Sequence, residues 1–190
     1  MAVTSKPSSR NERDPAISVR HLAKEFHLEG SLFSKKKARI VSAVADVSFD
    51  VERGQTLGIV GESGCGKSTT ARCVLRLLEP TSGEIVYRKF SPLDNTVEEI
   101  NLGQASESEL RELRSDLQIV FQDPIASFNP RMTVGASISE PMVVNSVIPR
   151  DEREERTQEL LALVGLEGGH SQRYPHEFSG GQRQRIGIAR

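Results

Sequence analysis

Gly61-Glu62-Ser63-Gly64-Cys65-Gly66-Lys67-Ser68-Thr69 is the stretch whose reading decides the fold. It follows the short apolar run Thr56-Leu57-Gly58-Ile59-Val60 and precedes Ala71, Val74, Leu75 and Leu78 at helical spacing. That context predicts a buried strand, a phosphate-binding loop, and a helix that starts near Lys67. Each fixed position of the pattern G-x-x-x-x-G-K-[ST] has a physical role. The glycines admit backbone angles closed to other residues and let main-chain N–H groups crowd around phosphate oxygens. Lys67 supplies a mobile positive charge for the β- and γ-phosphates, the Ser68 hydroxyl is placed to ligate Mg²⁺, and the positive end of the helix dipole points at the same anion. A glycine-rich turn without a ligand is the alternative, and the flanks on both sides argue against it.

The bulk properties bound what else the chain can be. Its 190 residues suit one domain, and 36% apolar with 27% charged residues is enough to bury a core. A formal net charge of −1 supplies no global field for nucleic acid, so no nucleic-acid partner is expected. No apolar run approaches the ~20 residues that cross a bilayer, so membrane association is expected to go through a partner. Residues 1–16 read as a loose, disordered tail without the apolar segment of a secretory signal. Cys65 and Cys73 lie about 12 Å apart at ~1.5 Å of helical rise per residue, too far for a disulfide. Cys65 borders a helix N-terminus, where a reactive thiol is one reading, but a small residue in a tight loop is the favoured one.

Along the chain, Ile17 to Phe26 and Ile40 to Val51 read as an antiparallel strand pair. The loop from Glu29 to Arg39, with its Lys35-Lys36-Lys37 run, is either a solvated hairpin tip or a contact for anionic lipid. Glu79 to Gly83 reads as a turn, Glu84 to Tyr87 as a strand, and Ser91 to Gln104 as an irregular polar stretch. Ser106 to Asp116 is expected to be a helix with Ser106 and Glu109 in a capping box. Leu117 to Phe121 reads as a second buried strand ended by Pro124. From Thr133 onward the periodicity is helical, with Pro141 interrupting one helix and Gly165 stopping another over Asp151 to Val164. Near the end, Phe178-Ser179-Gly180-Gly181-Gln182-Arg183 puts a Ser at an N-cap before a helix, a second anion-attracting terminus. The domain already has a phosphate cradle, so this second terminus suits the nucleotide of another protomer.

Together, Gly61 to Thr69, Gln122 and Ser179-Gly180-Gly181-Gln182 resemble the ATP-binding cassette (ABC) ATPases, in which the last four residues belong to the signature motif. Phe121 to Met132 and Tyr174-Pro175-His176-Glu177-Phe178 are similar to the dipeptide/oligopeptide importer branch. The resemblance covers residues 17–190. It implies an α/β fold: a P-loop NTPase core with a parallel sheet, an antiparallel β subdomain and an α-helical subdomain, incomplete at the C-terminus. Residues 17–132 would hold the β subdomain and nucleotide core, and residues 133–190 the helical subdomain.

The resemblance also implies MgATP as the bound species, with Gly61, Glu62, Ser63, Gly64, Cys65, Gly66, Lys67, Ser68 and Thr69 around the phosphates. Phe26 would stack on adenine, although a core Phe in a strand is its other reading. Gln122 would reach Mg²⁺ and the attacking water, making Lys67 and Gln122 the catalytic pair and Ser68 and Gln122 the metal ligands. Ser179, Gly180, Gly181 and Gln182 would act in trans. His176 and Glu177 read as loop polar groups, and Arg183 and Arg185 as a solvated helix face. Implied partners are transmembrane permease subunits, a second ABC ATPase subunit (identical or different) and, indirectly, an extracytoplasmic solute-binding protein. The implied place is peripheral, on the cytoplasmic face of the inner membrane.

The family follows its signature helix with a strand ending in Asp-Glu, a dimer-contact loop and a switch histidine, and none occurs within these 190 residues. Leu117 to Asp123 mimics such a strand, but Pro124 to Arg131 after it marks the Q-loop instead. Weak hydrolysis at most is therefore expected of this polypeptide. A nucleotide-binding module without turnover and a non-transport ABC ATPase remain the competing readings.

Overall fold

The computed structural model describes residues 8–9, 14–28, 39–121, 128–145 and 148–190. They fall into two units, Met1–Leu117 and Gln118–Arg190, each with its own apolar core.

The first unit is built on an antiparallel sheet in the order β1-β5-β4-β2-β3. Its strands are β1 (Ser8–Ser9), β2 (Ile17–Leu28), β3 (Arg39–Val51), β4 (Ser82–Ser91) and β5 (Thr96–Asn101). The expected pair is present: β2 runs against β3 from Ile17 opposite Val51 to Leu28 opposite Arg39. Regular alternation would put Val19 and Leu22 on opposite faces, yet both are fully buried. A register shift between them, with His21 in the left-handed region at φ 50°, turns Leu22 back to the core. Asp46 on β3 is left-handed as well (φ 49°), and its carboxylate meets His21 Nδ1 at 2.6 Å on the exposed side.

The structure corrects two strand expectations. The stretch from Ser91 to Gln104 is not irregular, because β5 closes a hairpin with β4 through a turn that contains left-handed Asn95 (φ 55°). Its adjacent acids, Glu98 and Glu99, hid the alternation, but they face Lys89 and Arg88 across the ladder, and Arg88 Nε lies 2.6 Å from Glu99 Oε1. Thr56 to Val60 and Leu117 to Phe121, the expected strands of a parallel sheet, are in no ladder among the described residues. Val60 is 91% and Val120 56% exposed. An apolar run becomes a buried strand only when a neighbouring strand takes its N–H and C=O groups and a layer covers its side chains, and periodicity carries no information about that neighbour.

Helix α1 (Lys67–Val74) follows the loop directly, and α2 (Glu107–Leu113) has the expected capping box: Ser106 and Glu109 exchange side-chain-to-backbone bonds. The core of this unit joins Val19, Leu22, Val44, Cys73, Ile85 and Leu102 to Leu110 and Leu113 from α2.

The second unit is helical. Helix α3 (Val134–Val144) is capped by Thr133, whose Oγ1 accepts from the Ala136 N–H at 3.2 Å. It runs through Pro141 instead of breaking there. A proline in a helix interior costs about 3 kcal/mol, but Val134, Ile138 and Met142 at i, i+4 and i+8 are all buried, and that packing holds the helix together. Helix α4 (Arg153–Leu163) ends before Gly165, left-handed at φ 72° as expected. Two short 3₁₀ turns, Gly168–Gln172 and Pro175–Glu177, lead into α5 (Gly180–Ala189).

Candidate functional site

The loop from Gly61 to Gly66 is shaped by left-handed glycines at Gly64 (φ 83°) and Gly66 (φ 97°). A Cβ on Gly66 would stand 2.1 Å from the Ala43 carbonyl oxygen of β3, so the loop leans on that strand with no room for a side chain. The first intrahelical bond of α1 runs from the Thr70 N–H to the Gly66 carbonyl at 2.8 Å. The N–H groups of Lys67, Ser68 and Thr69 therefore precede the helical ladder and lie at the positive end of the helix. No acidic residue occupies that first turn, so no carboxylate of the helix itself competes for those donors. Lys67 Nζ donates to the carbonyls of Gly61 (2.8 Å) and Glu62 (2.6 Å) and approaches Cys65 Sγ at 3.6 Å. The ammonium is folded over its own loop, on a stem long enough to swing to an anion in the cradle.

This donor set fits a polyphosphate. It combines main-chain N–H groups, one mobile cation and a glycine tight against its support, and the Ser68 hydroxyl offers an oxygen to a small hard cation. Cys65 is exposed and unbridged. Cys73, inside the core, has its thiol pushed up by burial, which leaves it inert.

Phe26 lies on β2 opposite Val41, on the same strand pair whose Ala43 supports Gly66. The residue is 37% exposed, so the reading as a core residue does not hold, and Lys24 Nζ sits 5.1 Å from the ring centroid. Gln122 lies outside the described residues, as do Pro124 to Ser127 and the Lys35-Lys36-Lys37 run.

In the second unit Ser179 is the N-cap of α5. Its Oγ accepts from the Gln182 N–H (3.3 Å), and Gln182 Oε1 accepts from the Ser179 N–H (2.9 Å). The Ser179 hydroxyl proton remains available to an acceptor in front of the helix. Gly180 and Gly181 are exposed with open space where a Cβ would point, and the first turn again has no acid. His176 and Glu177 serve the backbone turn: the Glu177 carboxylate accepts from the Tyr174 N–H at 2.6 Å, and His176 stacks on Tyr174. Arg185 is exposed, but Arg183 is half-buried with its Nε shielded and without an acceptor, so it is no simple solvated group.

Sequence reasoning missed the far end of α1. Arg76 ends that helix in the left-handed region at φ 50°, a conformation that costs a non-glycine residue about 1–2 kcal/mol. Its guanidinium donates from Nε to the Leu102 carbonyl at 2.8 Å, and Arg114 donates to the carbonyls of Leu75 (2.6 Å) and Arg76 (3.2 Å). No spacing rule connects positions so far apart in the chain.

The family model described as ABC transporter matches residues 44–190. The chain is 48% identical over 177 residues to the glutathione import ATP-binding protein GsiA of Pectobacterium atrosepticum, covering 93% of this chain and 27% of that protein. It is 46% identical over 179 residues to the oligopeptide transport ATP-binding protein AppF of Bacillus subtilis, covering 94% and 51%. The chain thus spans about half or less of these relatives. Among solved structures, the dimeric post-hydrolysis state of the ATP-binding cassette MJ0796 bound to ADP and Pi superposes with a TM-score of 0.70 at 28% identity, over 91% of this chain and 67% of that one.

Proposed function

The chain belongs to the ABC transporter family, and we propose on that footing that it is the ATP-binding, energy-coupling part of an importer for dipeptides, oligopeptides or similar solutes. The observation that carries this reading is the loop ahead of α1. Its backbone is held left-handed against β3, its N–H donors lie free of the helical ladder, and one ammonium is poised over it. The names of the relatives support the importer side of the reading.

In this scheme the Lys67, Ser68 and Thr69 N–H groups and the Lys67 ammonium hold the phosphates, within the loop formed by Gly61, Glu62, Ser63, Gly64, Cys65 and Gly66. Phe26 offers its exposed face to adenine. Mg²⁺ would be held through Ser68 and Gln122 and would neutralise charge on the phosphate oxygens. Ser179, Gly180, Gly181 and Gln182 would serve the nucleotide of a second ATPase subunit, a reading supported by the dimeric structure of the similar cassette MJ0796. Residues 17–132 and 133–190 would act as nucleotide core and signature-bearing helical subdomain. No helix among the described residues is long and apolar enough to cross a membrane. Placement at the cytoplasmic face of the inner membrane would therefore come from docking on permease subunits, with a solute-binding protein acting beyond them.

Calorimetric titration tests the nucleotide reading: heat with MgATP that shrinks on chelation supports it, and no saturable heat on folded protein ends it. For the importer role, cells whose only copy carries Lys67→Ala should lose uptake of small peptides, and unchanged uptake would refute it.

A further inference from the structure

Helix α1 is two turns long, and only Thr70 and Cys73 of it are fully buried. So short a helix moves as a rigid rod, and what fixes its C-terminal end also fixes where its N-terminal N–H groups point. That far end is held by two arginine side chains. Arg76 stops the helix in a left-handed conformation, with its own side chain tied to the Leu102 carbonyl. Arg114 then lays its fork over two successive carbonyls, those of Leu75 and Arg76. The guanidinium is half-buried, and a cation there also complements the negative end of the helix. Arg114 is the C-cap of α2, whose Leu110 and Leu113 are anchored in the core, so the clamp refers α1 to a fixed frame.

We propose that Arg114 is a positioning residue for the phosphate cradle: by holding the Leu75 and Arg76 carbonyls where the chain leaves α1, it sets where that helix presents its first-turn N–H groups and Lys67. The proposal rests on the nucleotide reading above and adds a residue that touches neither nucleotide nor metal. A merely structural role would lower stability and disturb only the α1 C-terminus, whereas a positioning role must be felt at the opposite end of the helix.

The test compares the parent with Arg114→Met and Arg114→Lys by calorimetry with MgATP and by backbone amide NMR. In Arg114→Met the affinity should fall about threefold to tenfold at unchanged stoichiometry, as expected for a slightly misplaced donor set. The amide resonances of Gly66, Lys67 and Ser68 should shift along with those of Arg76 to Leu78. Arg114→Lys, which keeps the charge and a donor, should recover part of the affinity, and it carries the test alone if the methionine variant does not fold. A parent that binds MgATP while both variants match it within about twofold, with the Gly66–Ser68 amides unmoved, overturns the inference alone. A folded parent that shows no magnesium-dependent binding removes the nucleotide reading, and this inference with it.

Discussion

Replacing Gly66 by alanine should separate the phosphate loop from an ordinary glycine-rich turn. The new Cβ would lie 2.1 Å from the Ala43 carbonyl oxygen, 3.3 Å from the carbonyl carbon and 3.7 Å from Val44 Cγ2. Backbone cannot be compressed, so the loop and β3 must part by roughly an ångström to restore van der Waals contact. Holding φ near 97° costs alanine about 1–2 kcal/mol, and the forced separation adds about 1–3 kcal/mol, less if the strand yields. Because β3 is an edge strand among the described residues, the lower part of that range applies. Gly64 supplies the internal control: it is also left-handed, but its Cβ would point into open space. Gly64→Ala should therefore show the backbone term alone. Urea unfolding should find Gly66→Ala less stable than Gly64→Ala by at least about 1 kcal/mol, with MgATP affinity lowered tenfold or more, since a donor set misplaced by an ångström loses most of its grip. Equal stability of the two variants, together with parental affinity in Gly66→Ala, would refute the claim that Gly66 is wedged between cradle and sheet.

Lys67→Ala removes the cation that lies over the loop and should weaken MgATP binding about 10- to 100-fold by calorimetry, the scale of a charged hydrogen bond. Ser179→Ala should cost about 1 kcal/mol of unfolding free energy, the usual loss for an N-cap, and should abolish any ATP-driven association in gel filtration without changing affinity for MgATP measured on dilute monomer. Gly135→Ala would gain helix propensity, but its Cβ would stand 2.9 Å from the Ser171 carbonyl oxygen, so a net loss of about 1–2 kcal/mol is expected in thermal or urea unfolding. The Arg20 guanidinium, bonded to both Asp50 oxygens at 2.7 Å, holds that carboxyl below its ordinary value. A depressed carboxylate stabilises the fold above its unfolded pKa of about 4 and loses that contribution as the pH falls through the lower folded value, so Arg20→Met should flatten the acid limb of a stability-versus-pH curve.

What the sequence discloses about this molecule is whatever depends on near neighbours in the chain. The loop, the start of α1 at Lys67, the Ser106 and Ser179 boxes and the stop at Gly165 all arise from contacts within a few residues, and each stands where the residue types place it. The β2–β3 pair was also readable, because two alternating runs enclose a loop. The parallel strands expected at Thr56 to Val60 and Leu117 to Phe121 were not, because a ladder is a property of two segments and a periodic pattern describes only one. Pro141 shows the reverse failure: a local rule for breaking helices gave way to the burial of Val134, Ile138 and Met142.

The two motifs are also unlike in how they spend their hydrogen-bonding groups, and that difference bears on their roles. Around α1 no side chain caps the helix, and its N-cap, Gly66, is given over to backbone geometry. Three N–H groups are thereby left without an acceptor among the described residues, open to water or to an anion. Around α5 the box pairs the N–H groups of Ser179 and Gln182, while those of Gly180 and Gly181 precede the helical ladder beside the Ser179 hydroxyl proton. A terminus that already pairs part of its donors depends less on a ligand and gains less from one. That is the profile of a surface that meets a nucleotide late and lets it go, whereas the α1 terminus has the profile of the surface that holds it. If the roles were reversed, Ser179→Ala would lower the affinity of dilute monomer for MgATP more than Lys67→Ala does, and the same pair of titrations would show it.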